Sequence, residues 1–184
     1  HTYIAGKWHL GYHEKERWPL QRGFEQYYGI ISGASSYFKP HPPRGLTLDN
    51  EHVDPEGDNY YTTDAFTDYA IKYMEEQEDD DPFFLYLPYT AAHSPFQGPG
   101  DDPGRAIRGD EWTISSRSKF VEMVESLDQG VGRVLEYLAE NGMTGTLILL
   151  ALLGIASYQL IKRIKVDHRY LYILISFWGI IIVS

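Results

Sequence analysis

The sequence predicts an α/β protein on a mostly parallel sheet, and three observations predict it. An extended run, Thr2-Tyr3-Ile4-Ala5, leads into the glycine-bounded hexapeptide Gly6-Lys7-Trp8-His9-Leu10-Gly11. A continuous apolar and aromatic run, Phe83-Phe84-Leu85-Tyr86-Leu87-Pro88-Tyr89, has the character of a strand covered on both faces. Segments of helical period lie before and after that run, so strand and helix alternate along the chain.

Taken in order, residues 2–5 read as a short strand, and residues 30–58 as a long loop carrying Pro40, Pro42, Pro43 and Pro55. Between Thr62 and Glu76, Phe66, Tyr69, Ala70, Tyr73 and Met74 recur at helical spacing behind a Thr-Thr-Asp start, which predicts an amphipathic helix with a capped N-terminus. The carboxylates from Glu75 to Asp81 oppose a helix C-terminus and read as a solvated turn into the next strand, not as a metal site. Residues 83–89 form that strand, and residues 95–112, with Pro95, Pro99 and Pro103, a second long loop. From Ser116 to Asn141 a second helix shows Phe120, Val124, Leu127, Val131, Val134, Leu135 and Leu138 at intervals of three and four, and Asn141-Gly142 supplies its stop.

At Thr144 the composition changes. Residues 145–161 are almost wholly apolar, a basic spacer follows, and residues 170–184 are apolar again, the pattern of a hydrophobic helical hairpin able to insert into a membrane. A buried strand is the rival reading for Thr146–Leu150. The boundary therefore divides the chain into a folded body, 1–144, and a tail, 145–184. If the tail spans, its basic spacer belongs on the cytoplasmic side and the body is extracytoplasmic, periplasmic or secreted.

The formal charge of −10 on 184 residues is uneven. Lys162, Arg163, Lys165 and Arg169 against Asp167 give the tail a net +3, which leaves −13 on the body. Such a body repels phosphates except at a local basic pocket, which excludes a general nucleic-acid binder. The absence of cysteine removes disulfides, thiolate metal sites and cysteine nucleophiles from this stretch. The chain opens on His1 with no charged and apolar leader, so its N-terminus reads as cut.

The chemistry concentrates just past the strand ends. On an extended chain Lys7 and His9, two positions apart, point the same way, and the flanking glycines let the backbone approach a ligand. Two readings stay open for that pair alone: an anion site with a point charge and a proton-shuttling imidazole, or a surface Lys and a satisfied His beside a buried Trp8. His93, in Tyr89-Thr90-Ala91-Ala92-His93-Ser94-Pro95, follows the apolar strand directly, where open α/β sheets bind ligands. One ammonium and two imidazoles at strand ends favour the functional reading.

These residues resemble a known family. Gly6-Lys7-Trp8-His9-Leu10-Gly11 looks like the second signature of the type I sulfatases, arylsulfatase-like hydrolases of the alkaline-phosphatase-like superfamily. The same pattern continues in Trp18-Pro19-Leu20-Gln21-Arg22-Gly23-Phe24 with Tyr28-Gly29, in Tyr60-Tyr61-Thr62-Thr63-Asp64, in Pro82 to Tyr86 with His93-Ser94-Pro95, and in Leu127-Asp128-Gln129-Gly130-Val131-Gly132 with Asn141-Gly142-Met143. It covers about residues 1–146 and implies a partial alkaline-phosphatase-like mixed sheet flanked by helices. It further implies that Lys7 contacts the sulfate, that His9 hydrogen-bonds a hydrated formylglycine nucleophile, and that His93 contacts the ester and protonates the leaving oxygen. Trp18, Arg22 and Tyr28 read as structural.

The departures from the family pattern are as informative. The family makes formylglycine within a Cys/Ser-x-Pro-x-Arg motif, and none occurs here. It binds calcium with an N-terminal carboxylate pair and an Asp-Asn pair after the strand that follows the long helix. Neither pair is present, and a second lysine expected later is missing too. Where Ser-Asp-Asn-Gly should follow, the chain runs Thr146 to Leu152 into the hydrophobic tail, which reads as an anchor or, preferentially, as a frame-shifted or fused segment. The expectation is a fragment of a sulfatase acting on sulfated small molecules or glycans, inactive as given. The alternatives are a membrane-tethered, non-catalytic binder of sulfated ligands and a phosphohydrolase of the same superfamily.

Overall fold

The computed structural model describes residues 1–77, 82–102, 116–141 and 180–183. Three parallel strands form the middle of its sheet: β1 (Thr2–Lys7) lies between β2 (Gln26–Ile30) and β5 (Phe84–Leu87). Beyond β2 come β3 (Leu46–Leu48) and β4 (Glu51–Val53), both antiparallel, and beyond β5 comes β6 (Ile180–Val183), also antiparallel. The order is β4-β3-β2-β1-β5-β6, a mixed sheet with a parallel centre.

The two faces of β1 explain its position. Period-two alternation sends Tyr3 and Ala5 into a core with Tyr28, Leu85, Phe66 and Val134, while Ile4 faces the other way among Trp18, Tyr27 and Ile31. A strand buried on both sides must be apolar where it is covered, and the buried stretch Tyr3–Gly6 carries no charged side chain. The helices α1 (Thr62–Glu75) and α2 (Arg117–Glu140) cover the first face, through Phe66, Ala70, Tyr73 and Met74 and through Val134 and Leu138.

Several expectations are corrected. The segment 30–58 is not loop throughout: Leu46-Thr47-Leu48 and Glu51-His52-Val53 pair across Asp49-Asn50, with Asp49 in the left-handed region at φ 53° and its carboxylate accepting from the Tyr27 N–H at 2.9 Å. The start of α1 has no side-chain cap, because the Thr62 hydroxyl and N–H both donate to the Tyr37 carbonyl and tie the helix to the loop after β2. Ser116 does cap α2, accepting from the Lys119 N–H at 3.2 Å.

The buried line of α2 differs from the predicted stripe. Met123, Ser126, Gly130, Val134 and Leu138 are buried, whereas Phe120 and Val124 are 47% and 41% exposed. Close helix approach is the cause: a Cβ on Gly130 would lie 2.5 Å from Thr67 Oγ1 and 2.9 Å from the Tyr89 hydroxyl. Gly130 faces Thr67 of α1, and the helix is rolled accordingly. At the C-terminus, Ile180–Val183 is a strand paired with β5 instead of part of a helical hairpin. Its β-branched sequence suits extended backbone, and the pairing satisfies the outer edge of β5. The 144/145 boundary and the rest of the tail lie outside the described residues. Among the described residues no helix is long and apolar enough to cross a membrane.

Candidate active site

The chain leaves β1 at Lys7 and divides its backbone hydrogen bonds between the two neighbouring strand ends. The Lys7 N–H donates to the Pro88 carbonyl at 2.8 Å, beyond β5, while Trp8 and His9 donate to the Ile30 and Ile31 carbonyls at 2.9 and 3.0 Å, at the end of β2. Gly6, at φ 145°, makes the first contact sterically feasible, since a Cβ there would fall on the Pro88 carbonyl.

Lys7 and His9 do not share a strand face as the extended reading expected. His9 has φ 57°, the left-handed region, so its side chain is set by a turn beyond β1. Its imidazole lies against Gly33, where a Cβ would come within 2.6 Å of Cε1 and 2.8 Å of Cδ2. A glycine in the loop after β2 is thus part of the histidine's seat, and its only sequence signal was the Ser-Gly-Ala run itself.

His93 enters from the loop after β5. Its N–H donates to the Thr90 carbonyl at 2.8 Å, and its carbonyl accepts from the Tyr37 hydroxyl at 3.0 Å. Nδ1 lies 2.7 Å from the Ser94 carbonyl, which can only accept, so Nδ1 carries the hydrogen and Nε2 is the nitrogen left to exchange a proton. Buried Gln97 locks this loop to the one after β2: its Oε1 accepts from the Tyr37 N–H at 2.9 Å, and its own carbonyl accepts from the Tyr61 hydroxyl at 2.9 Å. Nothing in the sequence singled out Gln97.

Lys7, His9 and His93 therefore converge at one end of the parallel strands, and a fourth group, Arg44, joins them. Burial lowers the pKa of His9, and the charges of Lys7, His93 and Arg44 lower it further. Burial also lowers that of Lys7. Each charge acting on His9 in this set is positive, so the region suits an anion although the body is acidic.

Because the folded His9 titrates below its ordinary 6.5, protonation is held off until lower pH. The unfolded chain takes up that proton first, so this group's share of stability is present above pH 6.5 and is lost as pH falls through the folded value. Proton NMR of the ring is expected to give a midpoint below 6.5 that rises in Lys7→Met; an unchanged midpoint in the variant would contradict the coupling.

A separate cavity of about 470 Å³, between α1 and the β3–β4 hairpin, is lined by Asp54, Glu56, Asp58, Asp64, Tyr28 and Tyr69 among others. Burial and the neighbouring Asp68 raise the pKa of Asp64, and so acidic a wall is unsuited to sulfate. The described residues also do not fit the calcium of the resemblance. Among the described residues no group of three or more His, Cys, Asp or Glu is placed to hold a metal ion, and the sequence has no Cys/Ser-x-Pro-x-Arg motif in which formylglycine could form.

The family model described as Sulfatase matches residues 1–151. Arylsulfatase J of Mus musculus is 29% identical over 157 residues, which cover 81% of this chain and 26% of that protein. The uncharacterized sulfatase YdeN of Escherichia coli strain K12 is 30% identical over 175 residues, covering 82% of this chain and 30% of that protein. The crystal structure of Ps i-CgsB in complex with k-i-k-neocarrahexaose is similar with a TM-score of 0.59 at 28% identity, over 77% of this chain and 34% of that one. The chain spans about a quarter to a third of the length of these proteins.

Proposed function

The chain belongs to the sulfatase family, whose members are sulfuric ester hydrolases, and on that premise we propose that it carries the sulfate-gripping and proton-handling part of such a site and takes a sulfated glycan as its ligand. The observation that supports this reading most directly is the convergence of Lys7, His93 and Arg44 on His9 just past the parallel strand ends. The structural neighbour solved with k-i-k-neocarrahexaose supports a sulfated oligosaccharide as the ligand class.

In the proposed chemistry Lys7 offsets charge on the sulfate oxygens. His93, held through Nδ1 on Ser94 and doubly protonated, would give its Nε2 proton to the departing ester oxygen as an attacking group bonds to sulfur and the electron pair of the breaking S–O bond moves onto that oxygen. His9, whose pKa is lowered by burial and then by its positive neighbours, is suited to hydrogen-bond an attacking hydroxyl. The attacking group itself is not supplied by a Cys/Ser-x-Pro-x-Arg motif of this chain.

Isothermal titration of a sulfated oligosaccharide against its desulfated counterpart tests the reading: binding of the sulfated form alone is expected, and equal binding of both overturns it. The purified chain is expected to release no product from an aryl sulfate, and sustained release would show that an attacking group is present after all.

A further inference from the structure

The two candidate imidazoles leave different strands but rest on the same loop. His9, beyond β1, donates its N–H to the Ile31 carbonyl at 3.0 Å and lays its ring against Gly33. His93, beyond β5, has its carbonyl held by the Tyr37 hydroxyl at 3.0 Å. Ile31, Gly33 and Tyr37 all belong to the loop that follows β2, so the spacing between the two rings is carried by the segment 31–37.

That segment is anchored at Tyr37. The residue is 1% exposed and packs in a small core with Phe38, Tyr61 and Met123, separate from the cores on the two sheet faces. Its ring stacks on that of Tyr61, with centroids 5.6 Å apart. Each of its polar groups is engaged: the N–H donates to Gln97 Oε1 at 2.9 Å, the carbonyl accepts from the N–H and hydroxyl of Thr62 at 2.8 and 2.9 Å, and the hydroxyl donates to His93. Burial, and then the neighbouring Tyr61, raise the pKa of that hydroxyl well above the ordinary 10, so it stays a donor. A phenylalanine would fill the same core. What the hydroxyl adds is a bond to the backbone of His93.

We propose that Tyr37 is a positioning residue: its hydroxyl on His93 and its place in the loop that seats His9 together fix the separation of the two imidazoles, and Gln97 locks it there. Being buried, Tyr37 acts on a ligand only through these histidines. The consequence for sulfate binding rests on the sulfatase reading of Lys7, His9 and His93, whereas the spacing of the rings does not.

The test is a double-mutant cycle on the full chain, read by proton NMR. Charge on His93 lowers the pKa of His9, behind burial and Lys7, so His93→Gln is expected to raise the His9 midpoint in the otherwise unaltered protein. The same step made in Tyr37→Phe is expected to raise it by less than half as much, because a released His93 lies farther from His9 on average. Gln97→Met is a second variant expected to act in the same direction. Thr67→Val is the control: it removes a buried hydroxyl bonded to the Thr63 carbonyl at 3.0 Å and paired with the Tyr89 hydroxyl at 2.7 Å, away from the segment 31–37. It is expected to lower the urea midpoint and leave the His93 step intact. A full step in both Tyr37→Phe and Gln97→Met, an equal reduction in Thr67→Val, or no step in the unaltered protein overturns the proposal.

Calorimetry separates this inference from the reading beneath it. Tyr37→Phe is expected to weaken binding of a sulfated oligosaccharide by about three- to tenfold, the scale of one buried hydrogen bond, and Thr67→Val by less than about twofold. Unchanged affinity in Tyr37→Phe overturns its part in binding. If the unaltered protein binds no sulfated oligosaccharide, the sulfatase reading fails, and the NMR cycle still decides the spacing.

Discussion

Lys7→Ala is expected to weaken binding of a sulfated oligosaccharide by about 10- to 100-fold. A hydrogen bond to a charged group contributes roughly 1.5–3 kcal/mol, and each 1.4 kcal/mol is about tenfold in affinity. The upper end applies if the half-buried ammonium is shielded from water when the ligand is bound, and the lower end if solvent still reaches it. Lys7→Arg is expected to restore only part of the loss, because the guanidinium is broader than the point charge that the end of β1 admits. Calorimetry at low and at physiological salt measures both effects. A change within twofold for Lys7→Ala would remove Lys7 from the anion site.

Gly6→Ala is expected to cost on the order of 2–4 kcal/mol of stability, combining a strained positive φ with an overpacked contact, each worth roughly 1–3 kcal/mol. The new Cβ would lie 2.9 Å from both the carbonyl carbon and Cδ of Pro88, and backbone there cannot yield without moving β1 from β5. Gly57→Ala is the matched control: φ is also positive, at 80°, but nothing lies within 4 Å of the added atom. Urea unfolding should place Gly6→Ala well below Gly57→Ala. Equal midpoints would mean that conformational strain alone, and not the approach of Pro88, makes the glycine necessary.

Much of the frame is legible in the chain because it is local. The apolar runs of β1 and β5 and the period of α1 follow from burial on both faces or on one face, and each residue carries that signal by itself. β2 was harder to read because Gly29 interrupts a short run, and β3 and β4 because three residues each are too few to show a period. The pair of strands around Asp49-Asn50 did carry a turn signal, which the surrounding prolines obscured. On α2 hydropathy pointed to Phe120 and Val124, whereas the packed line passes through Ser126 and Gly130. Hydropathy registers transfer from water, while close helix approach selects for smallness.

Residue type and spacing by themselves determined β1, β5, both helices and the placement of Lys7, His9 and His93 near strand ends, and the resemblance of several ordered motifs pointed to the family. Tertiary structure alone decided that His9 leaves β1 in a left-handed turn onto Gly33, that Gln97 ties two distant loops together, and that Arg44 stands beside His9. The physical reason is range. A strand or helix is written in its neighbours along the chain, but a seat for a ring or a cluster of like charges exists only when segments distant in sequence fold to one place, and no local pattern encodes that meeting.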